Sequence, residues 1–406
     1  MEKSGVADLK LMGGSIPPWL FARMKSLCRP IVEAILLEEG TQGFLSRLSD
    51  PFWFQSFGAV IGMDWNSSGV TTAITSALKE ALNPVSRDLG LFVCGGKGHN
   101  SRRTPQELLN VGNWTGLDGK KLAGASKLVA KVDNTAIQDG FNIYLHAFLV
   151  SSAGDWTVIQ QGMQPVTGKA RRYHWHSQDI RSFIEEPHTA ICGDNQGEIL
   201  NLVDKKALPA QKALLDIACE PPEKVLSEIP HMHLPSYCGI KTKDVDLKRL
   251  GTVLWLAQEM ETQSFEELLL LKGMGPRTLQ SLTLVSEVIY GTPNRFKDPA
   301  RFSFAHGAKG GKPFPVPTKV YDETISVLSK AVERAKIQNT DKLRSIQKLS
   351  KIAKKAEAHF EANPDMDELI AKENRESHRY GGRTVTGHMG KPDKQNPQLN
   401  LFQEGT

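Results

Sequence analysis

Residues 141–163 read FNIYLHAFLVSSAGDWTVIQQGM. Two runs rich in aromatic and β-branched residues flank SSAGD at 151–155, a turn composition, so the stretch predicts a β-hairpin. Helical patterns lie on both sides of it. The hairpin therefore decides for an α+β fold: a mixed α/β N-terminal domain, followed by helices alone.

Working outward, PPWLFARMKSLCRPIVEAILLEEG at 17–40 predicts a helix, with prolines at its start, apolar residues at helical spacing and Gly40 as its stop. SSGVTTAITSALKEAL at 67–82 predicts a second, capped by a serine, and LPAQKALLDIACEPPEKVLSEI at 208–229 a third, broken at Pro221-Pro222. Beyond residue 238 the pattern is purely helical. DVDLKRLGTVLWLAQEM at 244–260 precedes SFEELLLL, KGMG and PRTLQSLTLVSEVIYG, which read as helix, tight turn, helix over 264–291. The boundaries expected are 1–238 for the mixed domain, 239–300 for the helical one and 301–320 for a Gly/Pro-rich loop. A single basic helical segment is expected at 321–362, and a disordered tail at 363–406, polar and without period. Between 321 and 359 nine Lys/Arg face five Asp/Glu, a surplus of +4.

The chain carries 406 residues and a net charge of +5, mildly basic and compatible with nucleic acid. Its five cysteines form no C-x-x-C pair, which argues against a cysteine-built metal site and a disulfide framework. No stretch approaches the ~20 apolar residues that span a bilayer. The N-terminus lacks the apolar run of a signal peptide. These features point to a cytoplasmic protein with no membrane partner.

The turn at 272–275 is the strongest folded signal. Ser264 and Glu267 have capping-box spacing, Gly273 and Gly275 flank the apolar Met274, and Pro276 suits the first position of a helix. LLKGMGPRTLQSL at 270–282 resembles the helix-hairpin-helix motif of DNA repair and replication proteins. The resemblance implies that Met274 packs between the helices. It also implies that the backbone N–H groups of the turn and of the second helix face a DNA phosphate. Lys272, Gly273, Met274, Gly275, Arg277 and Thr278 would form that contact.

The mixed domain gathers polar residues around the hairpin. Asp64 lies in GMDWNSSG, Asp133 and Asp139 bracket NTAIQ, His146 and Gln161 lie on the hairpin strands, and EEPH stands at 185–188. Carboxylates with a nearby His or Gln suit a phosphodiester-cutting site, because Mg²⁺ or Mn²⁺ prefers carboxylate oxygens. The expected catalytic set is Asp64, Asp133, Asp139, His146, Gln161 and His174, with Asp64, Asp133 and Asp139 holding the metal. The other reading of Asp133 and Asp139 is chain-turning and capping. ARRYHWHS at 170–177 places Arg171 and Arg172 beside Tyr173 and Trp175, a composition suited to nucleic acid, with a strand edge as the alternative.

From GVADLKLMGG at 5–14 to RFSFAHGAKGGKPFPV at 301–316 the chain resembles a prokaryotic family of unassigned function, domain of unknown function seven-six-three. The stretches that carry this are SDPFWFQSFGAVIGMDWNSSGVTT, KVDNTAIQDGFNIYLHAF, VIQQGM, ARRYHWHS and ELLLLKGMGPRTL. The resemblance implies no reaction.

The tail ends NPQLNLFQEGT. QLNLF at 398–402 resembles the pentapeptide by which bacterial DNA polymerases and repair proteins bind the sliding clamp, with Gln398, Leu399, Leu401 and Phe402 at the matching positions. Three functions stay open on these features: a clamp-recruited, metal-dependent DNA nuclease, a base-excision glycosylase using Asp298, or a non-enzymatic clamp-bound adaptor. All three imply DNA and the clamp as partners and a nucleoid-associated location.

Overall fold

A computed structural model describes residues 5–6, 16, 18–63, 68–228, 247–291, 294, 296–300, 302–303 and 318–358. The chain starts with strand β1 (Gly5–Val6) and helices α1 (Pro18–Ser49), α2 (Pro51–Ile61) and α3 (Gly69–Leu82). The single-turn α4 (Ser86–Leu89) leads into β2 (Leu91–Lys97), then α5 (His99–Thr115) and α6 (Gly119–Lys131). A π-helical turn at Val132–Ala136 and the short β3 (Ile137–Gln138) precede the hairpin, β4 (Asn142–Ser151) and β5 (Trp156–Met163). Next come β6 (Ala170–His176), β7 (Ala190–Cys192), β8 (Glu198–Asn201), α7 (Leu208–Ala218) and α8 (Pro222–Glu228). Helices α9 (Leu247–Glu259), α10 (Phe265–Leu270) and α11 (Pro276–Tyr290) follow, then β9 (Phe296–Lys297), β10 (Phe302–Ser303), α12 (Thr318–Arg334) and α13 (Asn339–Ala358).

The fold is α+β. The hairpin forms at its expected place and supplies two neighbouring strands, β5 and β4, next to the β2 edge of a seven-stranded sheet in the order β1-β10-β7-β6-β5-β4-β2. The five strands from β2 to β7 are antiparallel, and β10 and β1 add on in parallel. A small second sheet has the order β3-β8-β9.

Both faces of the large sheet are covered, and side-chain alternation sorts its residues into two cores. On one face Phe148, Val158, Tyr173, Trp175 and Ile191 pack with residues of α5, α6 and α7. Val253, Leu268, Met274, Leu279 and Leu282 of α9–α11 belong to that same core. The helices expected as a separate domain after residue 238 thus share apolar contacts with the mixed domain. On the other face Leu149 and Ile159 pack with α1, α2 and α3.

Several local expectations change. Gly40 adopts φ +69, a positive φ that glycine reaches cheaply, and kinks α1 there, yet helix resumes to Ser49. Ser68 precedes α3 but makes no side-chain capping bond. Two residues of the expected 301–320 loop, Phe302 and Ser303, pair as β10. The basic segment is two helices, α12 and α13, and not one. Leu328, Ala331, Val332, Ala335 and Leu349 bury their apolar stripe against α1 and α2, which gives the break a packing reason. No helix among the described residues is long and apolar enough to cross a membrane. The expected disordered tail and its QLNLF peptide lie outside the described residues, as does Asp64.

Candidate nucleic-acid interface and buried polar networks

The helix–turn–helix at 264–291 is built as its sequence prescribes. The Ser264 side chain accepts from the Glu267 N–H, the forward half of a capping box, and the Glu267 carboxylate reaches back one residue further, accepting from the Gln263 N–H at 2.8 Å. Gly273 takes φ +94, and Met274 is buried. Lys272 and Arg277 are exposed. The Thr278 hydroxyl turns inward to the Gly273 carbonyl at 3.2 Å.

Groups from elsewhere in the chain grip the carbonyls of this turn. Arg249 Nε of α9 donates to the Gly273 carbonyl at 3.1 Å, and Lys131 Nζ, from the end of α6, donates to the Met274 carbonyl. Gln138 Nε2 donates to the Pro276 carbonyl at 2.8 Å. In a trans peptide the N–H points opposite to the C=O. The N–H groups of Gly275 and Arg277 therefore point away from the groups that hold the carbonyls of Met274 and Pro276. Both belong to the start of α11, where helix geometry leaves the first N–H groups without an intrahelical acceptor. Burial, and then the nearby Arg249 guanidinium, lowers the Lys131 ammonium below its usual range. Two cations held close together beside a helix N-terminus make an electropositive site.

The residues expected to cut phosphodiesters sit inside the molecule. Asp133, on the π-helical turn, is fully buried and accepts from Gln160 Nε2, from Trp175 Nε1 at 2.9 Å and from His188. His146 Nε2 meets Ser126 Oγ at 2.9 Å, and its Nδ1 meets Gln160 Oε1 at 2.7 Å. Burial lowers the His146 pKa, and the contacts with Gln160 and Asp133 partly offset this. A chain Ser126–His146–Gln160–Asp133–His188 thus runs under the sheet.

Asp139 belongs to a second network. It accepts from Arg171 Nη1 at 2.8 Å, Tyr173 Oη at 2.6 Å and the Phe141 N–H at 3.1 Å. Arg171 also pairs with Asp298 at 2.7 Å. Burial raises the Asp139 carboxyl above its usual range, against the pull of Arg171. Between Arg171 and Tyr173, alternation sends Arg172 to the opposite face, where its Nε donates to His174 Nε2 at 2.8 Å. Gln161, on that face too, donates to the Ser68 carbonyl at 3.1 Å and to Tyr144 Oη at 2.8 Å.

These placements correct the expected basic-aromatic surface and leave the expected metal site without support. Arg171, Arg172, Tyr173 and Trp175 are fully buried and so present no surface to stack on bases or pair with phosphates. Asp133 and Asp139 meet different partners, and each carboxylate already accepts from three protein donors. A cation at either would have to displace those donors. Among the described residues no group of three or more His, Cys, Asp and Glu is arranged to hold a metal ion. Asp298, the glycosylase candidate, is held in the Arg171 ion pair. A cavity of about 470 Å³ between α3, α4, β2 and α5, lined by Lys79, Glu107, Asn110 and Trp114 among others, contains none of the expected catalytic residues.

Sequence reasoning missed Lys131, Arg249, His188, Gln160 and Tyr173 as members of these networks. The alternation of ARRYHWH was the available signal for the two-faced burial. Arg249 has none, because its partner is a backbone carbonyl 24 residues away.

A family model described as "Protein of unknown function (DUF763)" matches residues 5–316. No match was found among curated proteins or among solved structures.

Proposed function

The chain belongs to the DUF763 family, and we propose that it is a DNA-binding protein that grips the phosphate backbone through the helix-hairpin-helix at 264–291. One observation carries this reading. The carbonyls of Met274 and Pro276 are held by Lys131 and Gln138, so the N–H groups of Gly275 and Arg277 point away from those donors, and the flanking Lys272 and Arg277 are exposed. Such a site takes an anion and reads no base sequence. The QLNLF tail supports recruitment by a bacterial sliding clamp. The nuclease and glycosylase readings gain nothing from Asp133, Asp139 or Asp298, whose oxygens are engaged within the protein.

The test is duplex binding by fluorescence anisotropy across a salt series. Wild-type affinity is expected to fall steeply with salt and to be insensitive to sequence. Gly273→Val forces a side chain into φ +94, with its Cβ 3.2 Å from Val253, and is expected to weaken binding about tenfold or more. Lys131→Ala is expected to do the same by loosening the turn. Unchanged affinity in both variants would remove the hairpin from the DNA contact.

A further inference from the structure

Arg171 and Arg172 are adjacent and equally buried, but among the described residues only Arg171 has carboxylate partners. Arg171 has Asp139 and Asp298. Arg172 has no carboxylate partner among the described residues. Its Nη1 donates to Gln55 Oε1 at 3.1 Å and lies 3.4 Å from Thr71 Oγ1, and its Nη2 has no oxygen or nitrogen acceptor. The thiol of Cys192, its cross-strand neighbour, remains, and burial pushes that thiol up to about 11, so it stays neutral near pH 7.

The position makes this isolation worse. Thr71 is the third residue of α3, a 14-residue helix, so the guanidinium abuts the positive end of a helix dipole. Gln161, its cross-strand neighbour on the other side, is also fully buried, and Gln161 Oε1 has no donor. A buried cation without a counter-charge is strongly unfavourable, and a helix N-terminus adds to the cost. A guanidinium nitrogen with at most a neutral thiol as partner, an acceptor without a donor and a positive charge with no counter-charge among the described residues thus stand together.

We propose that Arg172, Gln161 and the first turn of α3 form a binding site for a phosphate group, either the free ion or the terminal monoester of a nucleic-acid strand. Arg172 Nη2 and the N–H groups at the start of α3 donate to its oxygens, and Gln161 Oε1 accepts from its protonated oxygen. The site lies on the sheet face opposite the core that holds Met274 and the helix-hairpin-helix, so it is independent of the DNA contact proposed above.

The full chain is tested by thermal unfolding with inorganic phosphate, against sodium chloride of matched ionic strength. Wild type is expected to gain about 2–4 °C at saturation. Gly273→Val keeps that gain, whatever it does to DNA binding. Arg172→Gln loses it. Gln161→Glu also loses it, because the new carboxylate neutralises Arg172 itself, and this second variant covers the case in which Arg172→Gln does not fold. A 5′-phosphorylated oligonucleotide that gives a larger gain than both its 5′-hydroxyl counterpart and free phosphate identifies a strand end as the source. Equal gains from the two oligonucleotides identify the free ion. The proposal is overturned if wild type gains nothing beyond the chloride control, or if both Arg172→Gln and Gln161→Glu respond as wild type. It is also overturned if a response appears only in Asp64→Asn, since the chain's own carboxylate would then fill the place.

Discussion

His174 shows how burial couples this protein to pH. Burial, and next the Arg172 guanidinium, holds its pKa well below the usual histidine value, and His146 is lowered by burial as well. Both are neutral in the folded state and ionise more readily once unfolded. The stability this gives is complete above the unfolded value near 6.5 and is lost as pH falls below it, because the unfolded chain then binds more protons. Each histidine contributes up to ~1.4 kcal/mol per pH unit in that window. Asp139, raised by burial, acts in the opposite sense above its own usual range. The comparison is therefore made between wild type and His174→Gln, by urea unfolding at pH 7.5 and 5.5. The variant is expected to lose about 1 kcal/mol less over this interval; an equal loss would mean that His174 is ionised in the fold.

At the scale of elements, α12 and α13 carry the clearest consequence. They lie wholly beyond the span of the family match, yet Leu328, Val332 and Leu349 are buried against the N-terminal helices. Burying each such side chain contributes ~1.5–3 kcal/mol. A chain ending at residue 316 is expected to unfold at lower denaturant and to bind a hydrophobic dye, both of which the full chain should resist. An unchanged midpoint would show that α1 and α2 need no cover. Much of the element plan was legible in the sequence. The hairpin, the Pro221-Pro222 break and the capping box at Ser264 all rest on local chemistry, which a sequence displays. The break between α12 and α13 and the pairing of Phe302 depend on partners far along the chain, and no local pattern marks them. The same holds for the site residues. The turn at 272–275 was readable from its glycines, but Lys131 and Arg249 reach it only through tertiary packing. ARRYHWH read as a surface because its cations dominate the composition, whereas its strict alternation buries them on two faces.

For the whole molecule, the hairpin and the tail propose two separate attachments, one to DNA and one to a ring that travels on it. Linking two weak contacts raises overall affinity without any new surface, provided that the linker spans both sites. Leu401→Ala with Phe402→Ala is expected to abolish capture by a purified bacterial sliding clamp and to leave duplex binding within about twofold of wild type, since each anchor supplies only ~1.5–3 kcal/mol and lies outside the hairpin. Retained capture would dissociate the tail from the clamp.

The contact of α12 and α13 with the N-terminal helices also has a consequence in time. Roughly 250 residues separate the end of α2 from the start of α12, and a ribosome adding 5–20 residues per second takes about 12–50 s to make them. Through that interval the nascent chain displays an uncovered apolar flank. Synthesis order thus makes the N-terminal helices a natural client for chaperones, and their final closure one of the last events in the birth of the molecule.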